Sequence, residues 1–365
     1  MNIPFIDINR QHQILGKELK DAFARILQSG KFVLSEELKA FEKEMADYVG
    51  CKYAFGAANG TTALTLCLEA MDIRPGDEVI TTPFTFFATA EVIAKLGAVP
   101  VFCDIEADTL NIDPHKIPAL ITKKTRAVMP VHIFGQIADM DSINKIARQN
   151  QLIVIEDAAQ AFGAVYKGKK ACALGDLSGV SFYPTKNLNA LGDGGIVFTN
   201  HDAYADKIRS LRVHGSKQKY YHEILGYNDR LDDLQAAFLR IKLQYLDGWN
   251  KRRREIAKKY DERIRNYVKV PFIATHNETI YHQYTIRTEK RNELQKFLKD
   301  RGVATDIHYP LPLHLQPALS YLKYRMGSLP IAEAVSREVL SLPIFQDLTD
   351  GEVDYVIDSV LSFFK

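Results

Sequence analysis

A lysine near the middle of the chain stands where an amine could act as a nucleophile. Lys186 lies in residues 181–195, where a β-rich run ends, the lysine follows, and a Gly-Asp-Gly-Gly turn leads into the next apolar run. An amine that attacks a carbonyl must be neutral part of the time and held in place, and a lysine in an enclosed loop meets both conditions. The alternative is an ordinary exposed loop lysine.

A pair of acids ends the apolar run Ile153-Val-Ile-Glu-Asp157. In open α/β sheets ligands bind beside the carboxyl ends of the strands, so an acid at such an end faces the ligand crevice. Asp157 is therefore a candidate for pairing with a positively charged group. The alternative is that it caps a following helix by accepting hydrogen bonds from free backbone N–H groups.

A turn of small residues, Ala57-Ala-Asn-Gly-Thr-Thr-Ala-Leu64, runs into an apolar helical stretch. Free N–H groups at a helix N-terminus, with hydroxyl groups beside them, bind phosphate without any basic residue. Gly60, Thr61 and Thr62 are candidates for such a site. A simply capped helix start produces the same pattern, and the two interpretations are compatible.

The chain around these residues alternates between short β-rich runs and helical stretches, which predicts the α/β class. Most of the runs are continuous and apolar, so we expect a mostly parallel sheet with helices on both faces. The predicted strands cover residues 78–82, 99–103, 127–131, 152–155, 179–182 and 195–199.

The pattern changes near residue 242. Apolar residues near helical spacing predict a long helix over 242–264 that links two domains. Beyond it we predict a strand over 282–287, a helix over 289–301 ended by Gly302, and a helix-rich segment over the last thirty residues.

Composition argues against several classes of function. The 365 residues include 47 lysines and arginines against 45 acids, so no long-range field favours nucleic acid or an anionic membrane surface. No run approaches the roughly 20 apolar residues of a membrane span, and the start lacks a signal-peptide core, so we expect a cytoplasmic protein. The four scattered cysteines and the absence of clustered histidines predict neither disulfides nor a metal site.

Taken together, these segments resemble the DegT/DnrJ/EryC1/StrS family of nucleotide-sugar aminotransferases, which are fold-type I pyridoxal phosphate enzymes. Further segments that carry the likeness are Thr82-Pro-Phe-Thr-Phe86, Pro130-Val-His-Ile-Phe-Gly135, Arg212-Val-His-Gly215, Gly226-Tyr-Asn-Asp-Arg230 and Ile307-His-Tyr-Pro310. The resemblance implies a large cofactor-binding domain over 1–248, built on a mostly parallel mixed sheet covered by helices. It also implies a smaller C-terminal α+β domain over 249–365, on which the first residues pack.

By the same resemblance, Lys186 is the catalytic residue that holds pyridoxal phosphate as a Schiff base and carries a proton during transamination. Asp157 pairs with the pyridinium nitrogen and keeps the ring an effective electron sink. Phe86 stacks on the ring face, and Gln160 contacts the ring or its hydroxyl. Family members with histidine in place of the lysine are dehydratases, so Lys186 favours an aminotransferase.

The resemblance also assigns the cofactor's phosphate. Gly60, Thr61 and Thr62 bind it together with Ser181, and Asn228 reaches in from a second subunit, which implies a homodimer with shared active sites. The position before Gly60 is often serine in relatives and is Asn59 here, which leaves the role of that side chain open.

For the substrates, the resemblance implies L-glutamate as amino donor, with release of 2-oxoglutarate, and a UDP- or dTDP-linked keto hexose as acceptor. Arg230, His308 and Tyr309 lie in motifs that line the sugar pocket of relatives. The Ser-Phe-Tyr-Pro and His-Tyr-Pro motifs favour amination at C3, with C4 as the alternative, in amino-sugar and surface polysaccharide (lipopolysaccharide or O-antigen) biosynthesis. Two other classes stay open: a lyase or aldolase on the same cofactor, and a non-catalytic regulatory or sugar-binding relative.

Overall fold

A computed structural model describes residues 1–365, which form fourteen strands and twelve α-helices. The strands are β1 (Tyr53–Ala57), β2 (Glu78–Thr81), β3 (Val99–Phe102), β4 (Thr125–Met129), β5 (Ile153–Asp157), β6 (Val165–Tyr166), β7 (Lys169–Lys170), β8 (Leu177–Ser181), β9 (Gly195–Thr199), β10 (Ser216–Gln218), β11 (Tyr221–His222), β12 (Asn277–Glu278), β13 (Tyr284–Arg287) and β14 (Val339–Leu342). The helices are α1 (Ile8–Ile14), α2 (Gly16–Ser29), α3 (Glu36–Val49), α4 (Gly60–Ala70), α5 (Ala88–Lys95), α6 (Met140–Asn150), α7 (Asp202–Leu211), α8 (Asp233–Leu243), α9 (Leu246–Ile264), α10 (Arg291–Asp300), α11 (Pro330–Glu338) and α12 (Asp350–Phe364). No helix is both long and apolar enough to cross a membrane.

Seven strands form the main sheet, in the order β1-β9-β8-β5-β4-β2-β3. The strands from β8 to β3 in this order pair in parallel, whereas β9 pairs antiparallel with both β8 and β1. One reversed strand makes the sheet mixed but mostly parallel, which confirms the predicted architecture. The six predicted strands are all present in this sheet, each with ends within two residues of the prediction, and β1 is the one strand of the sheet that the prediction missed.

Side chains of the sheet alternate between two apolar cores, because successive residues of a strand point to opposite faces. Ile80 and Val154 belong to the core that α3 and α6 cover. Their neighbours Val79 and Ile155 belong to the core that α4, α5 and α7 cover. Burial of both faces explains why the strands are continuous apolar runs.

A further core surrounds the two-stranded sheet of β13 and β14. Helix α9 begins at Leu246 in the core of the main sheet and ends at Ile264 in this second core. The predicted long helix therefore links two cores, although it begins at Leu246 because α8 occupies the chain up to Leu243. The domain boundary between residues 248 and 249 stays a prediction.

The N-terminal segment packs on the second core. Ile3 is fully buried there. Its N–H donates to the carbonyl of Gly302 at 2.8 Å, and the N–H of Ala304 donates to its carbonyl at 2.9 Å. Gly302 has a φ of +77°, and a Cβ at this position would lie 2.5 Å from the carbonyl oxygen of Met1. A glycine is therefore required for this close approach.

Candidate active site

A cavity of about 850 Å³ opens at the carboxyl ends of β5 and β8, where Asp157 and Ser181 are the final strand residues. This is the edge at which α/β sheets bind their ligands. The sequence-predicted residues that line the cavity are Gly60, Thr61, Thr62, Phe86, Asp157, Gln160, Ser181, Lys186, His308 and Tyr309. The fold thus brings together side chains from the start of α4, from the loops after the strands and from the segment near residue 308.

Asp157 is buried beside the cavity, and two donors fix its carboxylate. The hydroxyl of Thr89 donates to Oδ2 at 2.7 Å, and the N–H of Ala159 donates to Oδ1 at 3.2 Å. Burial raises the pKa of Asp157, while these hydrogen bonds and the nearby charge of Lys186 act in the opposite direction. The next α-helix after β5 is α7, which begins only at Asp202, so the interpretation of Asp157 as a helix cap is wrong.

Lys186 lines the same cavity as Asp157, and its side chain is half-buried. Burial lowers the pKa of its ammonium group to about 8, against an opposing effect of the Asp157 charge. A substantial part of the amine is then neutral in mildly alkaline solution, as a nucleophile requires. The loop is held in shape because Asn189 donates to the carbonyl of Pro184 at 2.6 Å and Lys186 N–H donates to the carbonyl of Tyr183 at 2.8 Å.

The start of α4 forms a cradle against the end of β8. Asn59 caps the helix: its side chain accepts from the N–H of Thr62 at 2.9 Å, and the Thr62 hydroxyl accepts from the N–H of Asn59 at 3.2 Å. The N–H groups of Gly60 and Thr61 remain free at the N-terminus, where an anion is stabilised. A Cβ at Gly60 would lie 2.5 Å from Cβ of Ser181, so glycine allows the contact between helix and strand.

Behind this cradle lies Asp229, an acid for which the sequence analysis predicted no role. Asp229 is buried, and its Oδ1 accepts from the N–H of Ala58 at 2.5 Å and from the hydroxyl of Thr62 at 3.0 Å. It thereby orients the turn before α4. Because Asp229 stands next to Asn228, the same short segment supports the cradle and presents Asn228 outward.

The aromatic and amide groups of the cavity are arranged around Gln160. Its Oε1 accepts from the N–H of Phe134 at 2.9 Å, and its Nε2 donates to the hydroxyl of Tyr309 at 3.0 Å. One hydrogen of the amide is left for a ligand. Phe86 is 60% exposed although it is a large apolar residue, and its ring borders the cavity. An exposed ring at a cavity wall offers a flat surface to a planar ligand.

Residues 13–361 match the family described as the DegT/DnrJ/EryC1/StrS aminotransferase family. The chain belongs to this family. The match covers almost the whole length, so the family, the aminotransferase class and the enzymatic nature that the sequence predicted are confirmed.

Three relatives align with this aminotransferase over nearly the full length of both chains. A protein named "Pleiotropic regulatory protein" from Geobacillus stearothermophilus is 47% identical over 100% of this chain and 99% of its own. A dTDP-3-amino-3,6-dideoxy-alpha-D-galactopyranose transaminase from Aneurinibacillus thermoaerophilus is 45% identical over 98% of both chains. A UDP-2-acetamido-2-deoxy-3-oxo-D-glucuronate aminotransferase from Pseudomonas aeruginosa is 42% identical over 97% of this chain and 98% of its own.

A solved structure confirms the fold of the aminotransferase. DesV from S. venezuelae, determined in complex with a ketimine intermediate, superposes with a TM-score of 0.97 at 42% identity, over 99% of this chain and 98% of its own. The fold-type I architecture that the sequence predicted is therefore confirmed.

Two predicted site residues of the aminotransferase lie outside the cavity of the single chain. Asn228 is exposed, and Arg230 is partly buried without lining the cavity. The assignment of Asn228 to a neighbouring subunit's site therefore stays a prediction, as does the sugar-binding role of Arg230. The residues that the sequence missed, Thr89, Asp229 and His282, act through hydrogen bonds between segments far apart in the chain.

Proposed function

We propose that the protein transfers the amino group of L-glutamate to C3 of a UDP- or dTDP-linked 3-keto hexose with pyridoxal phosphate as cofactor. One observation carries the proposal: Lys186 and Asp157 line one cavity with an anion cradle at Gly60. Membership of the aminotransferase family supports it. Two curated relatives at 42% and 45% identity carry names that specify amination at C3 of a nucleotide-linked hexose.

The residues present fit pyridoxal phosphate. The free N–H groups of Gly60 and Thr61, with the hydroxyls of Thr61 and Ser181, would hold the phosphate, and a Cβ at Gly60 would meet Ser181 at 2.5 Å. Asp157 would pair with the ring nitrogen, and Phe86 would cover a ring face. When bound, the cofactor supplies an electron sink and carries the amino group between the two substrates.

With pyridoxal phosphate present, Lys186 would be the residue that holds it through its aldehyde carbon, and the same amine would move protons at the substrate carbon. Its pKa of about 8 allows one amine to act in turn as a nucleophile, a base and an acid. Gln160 and Tyr309, which line the cavity, would orient the cofactor. Burial raises the pKa of the Tyr309 hydroxyl, which therefore stays protonated and serves as a hydrogen-bond donor.

The sugar binds on the side of the cavity lined by His308 and Tyr309. Nδ1 of His308 lies 3.1 Å from the hydroxyl of Ser341, and burial lowers the pKa of His308. A neutral imidazole next to a phenol suits the hydroxyl groups of a hexose. Arg230, although it does not line the cavity of the single chain, contributes to sugar binding as well. Amination at C4 is the alternative.

The active assembly is a homodimer in which Asn228 completes the partner's phosphate site. The segment that carries Asn228 exposes large apolar side chains: Tyr220 is 81% and Leu225 is 96% accessible. Apolar groups clustered in one segment favour burial against another protein surface. The enzyme acts in the cytoplasm, and its product is an amino sugar for a surface polysaccharide such as lipopolysaccharide O-antigen.

The regulatory alternative draws on the name of the Geobacillus relative. A protein that only bound a sugar would have no use for an amine with a lowered pKa in the same cavity as a buried carboxylate. Lyase or aldolase chemistry would use the same amine, and only the products separate it from amino transfer.

The experiment is a panel of UDP- and dTDP-linked 3-keto and 4-keto hexoses, each incubated with the cofactor-loaded protein and L-glutamate. Product mass identifies amination, and the formation of 2-oxoglutarate identifies the donor. Lys186→Ala is the control and should give no product. A product that lacks the amino group, or carbon–carbon cleavage of the sugar, would contradict the proposal.

A further inference from the structure

A second lysine, Lys242, is fully buried on α8 and has no part in the predicted chemistry. Its Nζ donates to the main-chain carbonyl of Asn189 at 3.0 Å and to Oδ1 of the same residue at 2.8 Å. Burial lowers its pKa to about 7, and no acidic group acts against that effect. Because burying an amine without an acid costs free energy, the two hydrogen bonds to Asn189 are the feature that its position must explain.

The two bonds to Asn189 do not require a charged lysine. With a pKa of about 7, the amine is mostly neutral in mildly alkaline solution. A neutral amine has two hydrogens, and Asn189 offers two acceptors, so both hydrogens are used. Lys242 therefore acts here as a double hydrogen-bond donor at the end of a long apolar stem.

Asn189 passes this contact on to the loop that carries Lys186. Its Nδ2 donates to the carbonyl of Pro184 at 2.6 Å. Since a carbonyl only accepts, the amide orientation is fixed, with Nδ2 towards Pro184 and Oδ1 towards Lys242. The side chain of Asn189 is itself buried, so water does not replace either partner. A continuous chain of hydrogen bonds thus leads from α8 to a residue two positions before Lys186.

Lys186 lies inside the segment that this chain closes. The N–H of Ala190 donates to the carbonyl of Phe182 at 2.8 Å, which brings the two ends of residues 182–190 together. On the other side of Lys186, Asn187 donates to Oδ1 of Asn250 on α9 at 2.8 Å. The turn that presents the Lys186 side chain to the cavity is therefore supported from behind by two helices.

We propose that Lys242 is a positioning residue, which acts through Asn189 and Pro184 to hold the turn from which Lys186 reaches the cavity. The inference rests on the proposed function, since it concerns the lysine that this function requires. Lys242 does not line the cavity, whereas the phosphate cradle at Gly60 is on a different segment. Loss of Lys242 should therefore misplace the amine and leave the cradle as it is.

Two forms of the cofactor distinguish these effects. Pyridoxal phosphate is captured when the nitrogen of Lys186 bonds to the aldehyde carbon and the aldehyde oxygen leaves as water. Pyridoxamine phosphate has an amine in place of the aldehyde, so it binds without that bond. The experiment measures the capture rate of the first and the affinity of the second with the cofactor-free, full-length protein, on the alkaline plateau of the capture rate.

Lys242→Met keeps the side chain as far as its ε-carbon and removes the donors. This variant should capture pyridoxal phosphate about tenfold more slowly, the factor expected for the loss of one hydrogen bond. Its affinity for pyridoxamine phosphate should be unchanged, because the cradle does not depend on Lys242.

Asn189→Asp breaks the second link of the same chain. A carboxylate still accepts from Lys242, but it has no hydrogen to donate to Pro184. Capture should slow as much as in Lys242→Met, and the double variant should be no slower than either single variant, because all three break one chain. The matched control is Asn144→Asp, which removes a bond of the same kind, from Asn144 to the carbonyl of Leu174 at 2.9 Å, and should change neither measurement.

The outcomes separate the inference from the proposed function. Unchanged capture in Lys242→Met or in Asn189→Asp overturns the inference, and so does additive slowing in the double variant. An equal loss of affinity for pyridoxamine phosphate also overturns it, because the whole cavity would then have loosened. Asn189→Asp decides alone if Lys242→Met folds poorly, since it leaves Lys242 paired. Failure of the unaltered protein to capture pyridoxal phosphate overturns the proposed function itself.

Discussion

The hydroxyl of Thr89 lies 2.7 Å from Oδ2 of Asp157 and donates to it from the first turns of α5. The bond joins a helix that follows β2 to the end of β5, so the carboxylate is fixed by an element other than its own strand. Its free energy is that of a hydrogen bond to a buried charged group, about 1.5–3 kcal/mol.

Thr89→Val should shift the acid limb of the kcat/KM profile to higher pH by about one unit. The pKa of Asp157 is already raised by burial, and loss of the donor raises it further, so the carboxylate is lost at a higher pH as the solution is acidified. Thr65→Val, which removes a hydroxyl bonded only to the carbonyl of Thr61 within α4, is the control. An unmoved acid limb would show that Thr89 does not govern the carboxylate.

Gly195→Ala should weaken cofactor binding at least tenfold and lower the melting temperature by several degrees. A Cβ at Gly195 would lie 2.3 Å from the carbonyl oxygen of Asn59, so the methyl group forces the cradle away from β9. Gly248→Ala is the matched control, since its Cβ would meet nothing within 4 Å and it lies inside α9, where alanine is favoured. Calorimetry with and without pyridoxal phosphate distinguishes the two effects.

Mixing two inactive variants should restore activity if Asn228 serves the partner's site. Under this hypothesis each active site takes Lys186 from one subunit and Asn228 from the other. In a dimer of one Lys186→Ala subunit and one Asn228→Ala subunit, one site therefore lacks both side chains and the other site has both. After subunit exchange, about a quarter of the sites should be intact. The mixture should therefore regain up to a quarter of the unaltered activity, whereas no recovery would place Asn228 in its own chain's site.

Lys242 makes the free energy of unfolding depend on pH in the neutral to alkaline range. It is fully buried and hydrogen-bonded to Asn189 without an acidic partner, and burial lowers its pKa to about 7. Between this value and the unfolded pKa of about 10.4, the unfolded chain holds a proton that the folded chain lacks, so stability rises with pH.

Between pH 7 and 10, urea unfolding should therefore show that the free energy of unfolding of the unaltered protein rises relative to that of Lys242→Met. The rise should be at most about 1.4 kcal/mol per pH unit. Below pH 7 the difference should become constant, because both states are protonated. A difference independent of pH across the whole range would mean that the buried amine stays charged.

The strands of the main sheet were predictable because both faces are buried, and apolar continuity is a local property of the sequence. β1 was not predicted because Tyr53-Ala-Phe-Gly-Ala57 contains small residues in place of a continuous apolar run. Close packing requires these small residues, since a Cβ at Gly56 would lie 2.9 Å from Leu231 and Leu38. The predicted start of helix α9 was too early. Only two residues separate α9 from the end of α8, and the apolar spacing continues across this break.

The sequence offered the same signal for Glu156 and Asp157, and only the three-dimensional contacts separate their roles. Glu156 is fully buried and satisfied: it accepts from the N–H groups of residues 172, 174 and 175 and lies 2.8 Å from Nε2 of His132. Asp157 keeps part of its carboxylate free beside the cavity. The supporting residues Thr89 and Asp229 could not be predicted, because their partners lie 68 and 167 or more residues away.

The hydrogen bonds of Ile3 with Gly302 and Ala304 determine the order in which parts of the protein can fold during synthesis. On the ribosome, Ile3 emerges about 300 residues before its partners, and the core it joins also needs Val360 on α12. The sheet that carries Asp157 and Lys186 can assemble earlier, when the N-terminal segment still has no core to pack against and is exposed to solvent. Nascent chains stalled before residue 300 should therefore present this segment to chaperones even after the cofactor cradle has formed.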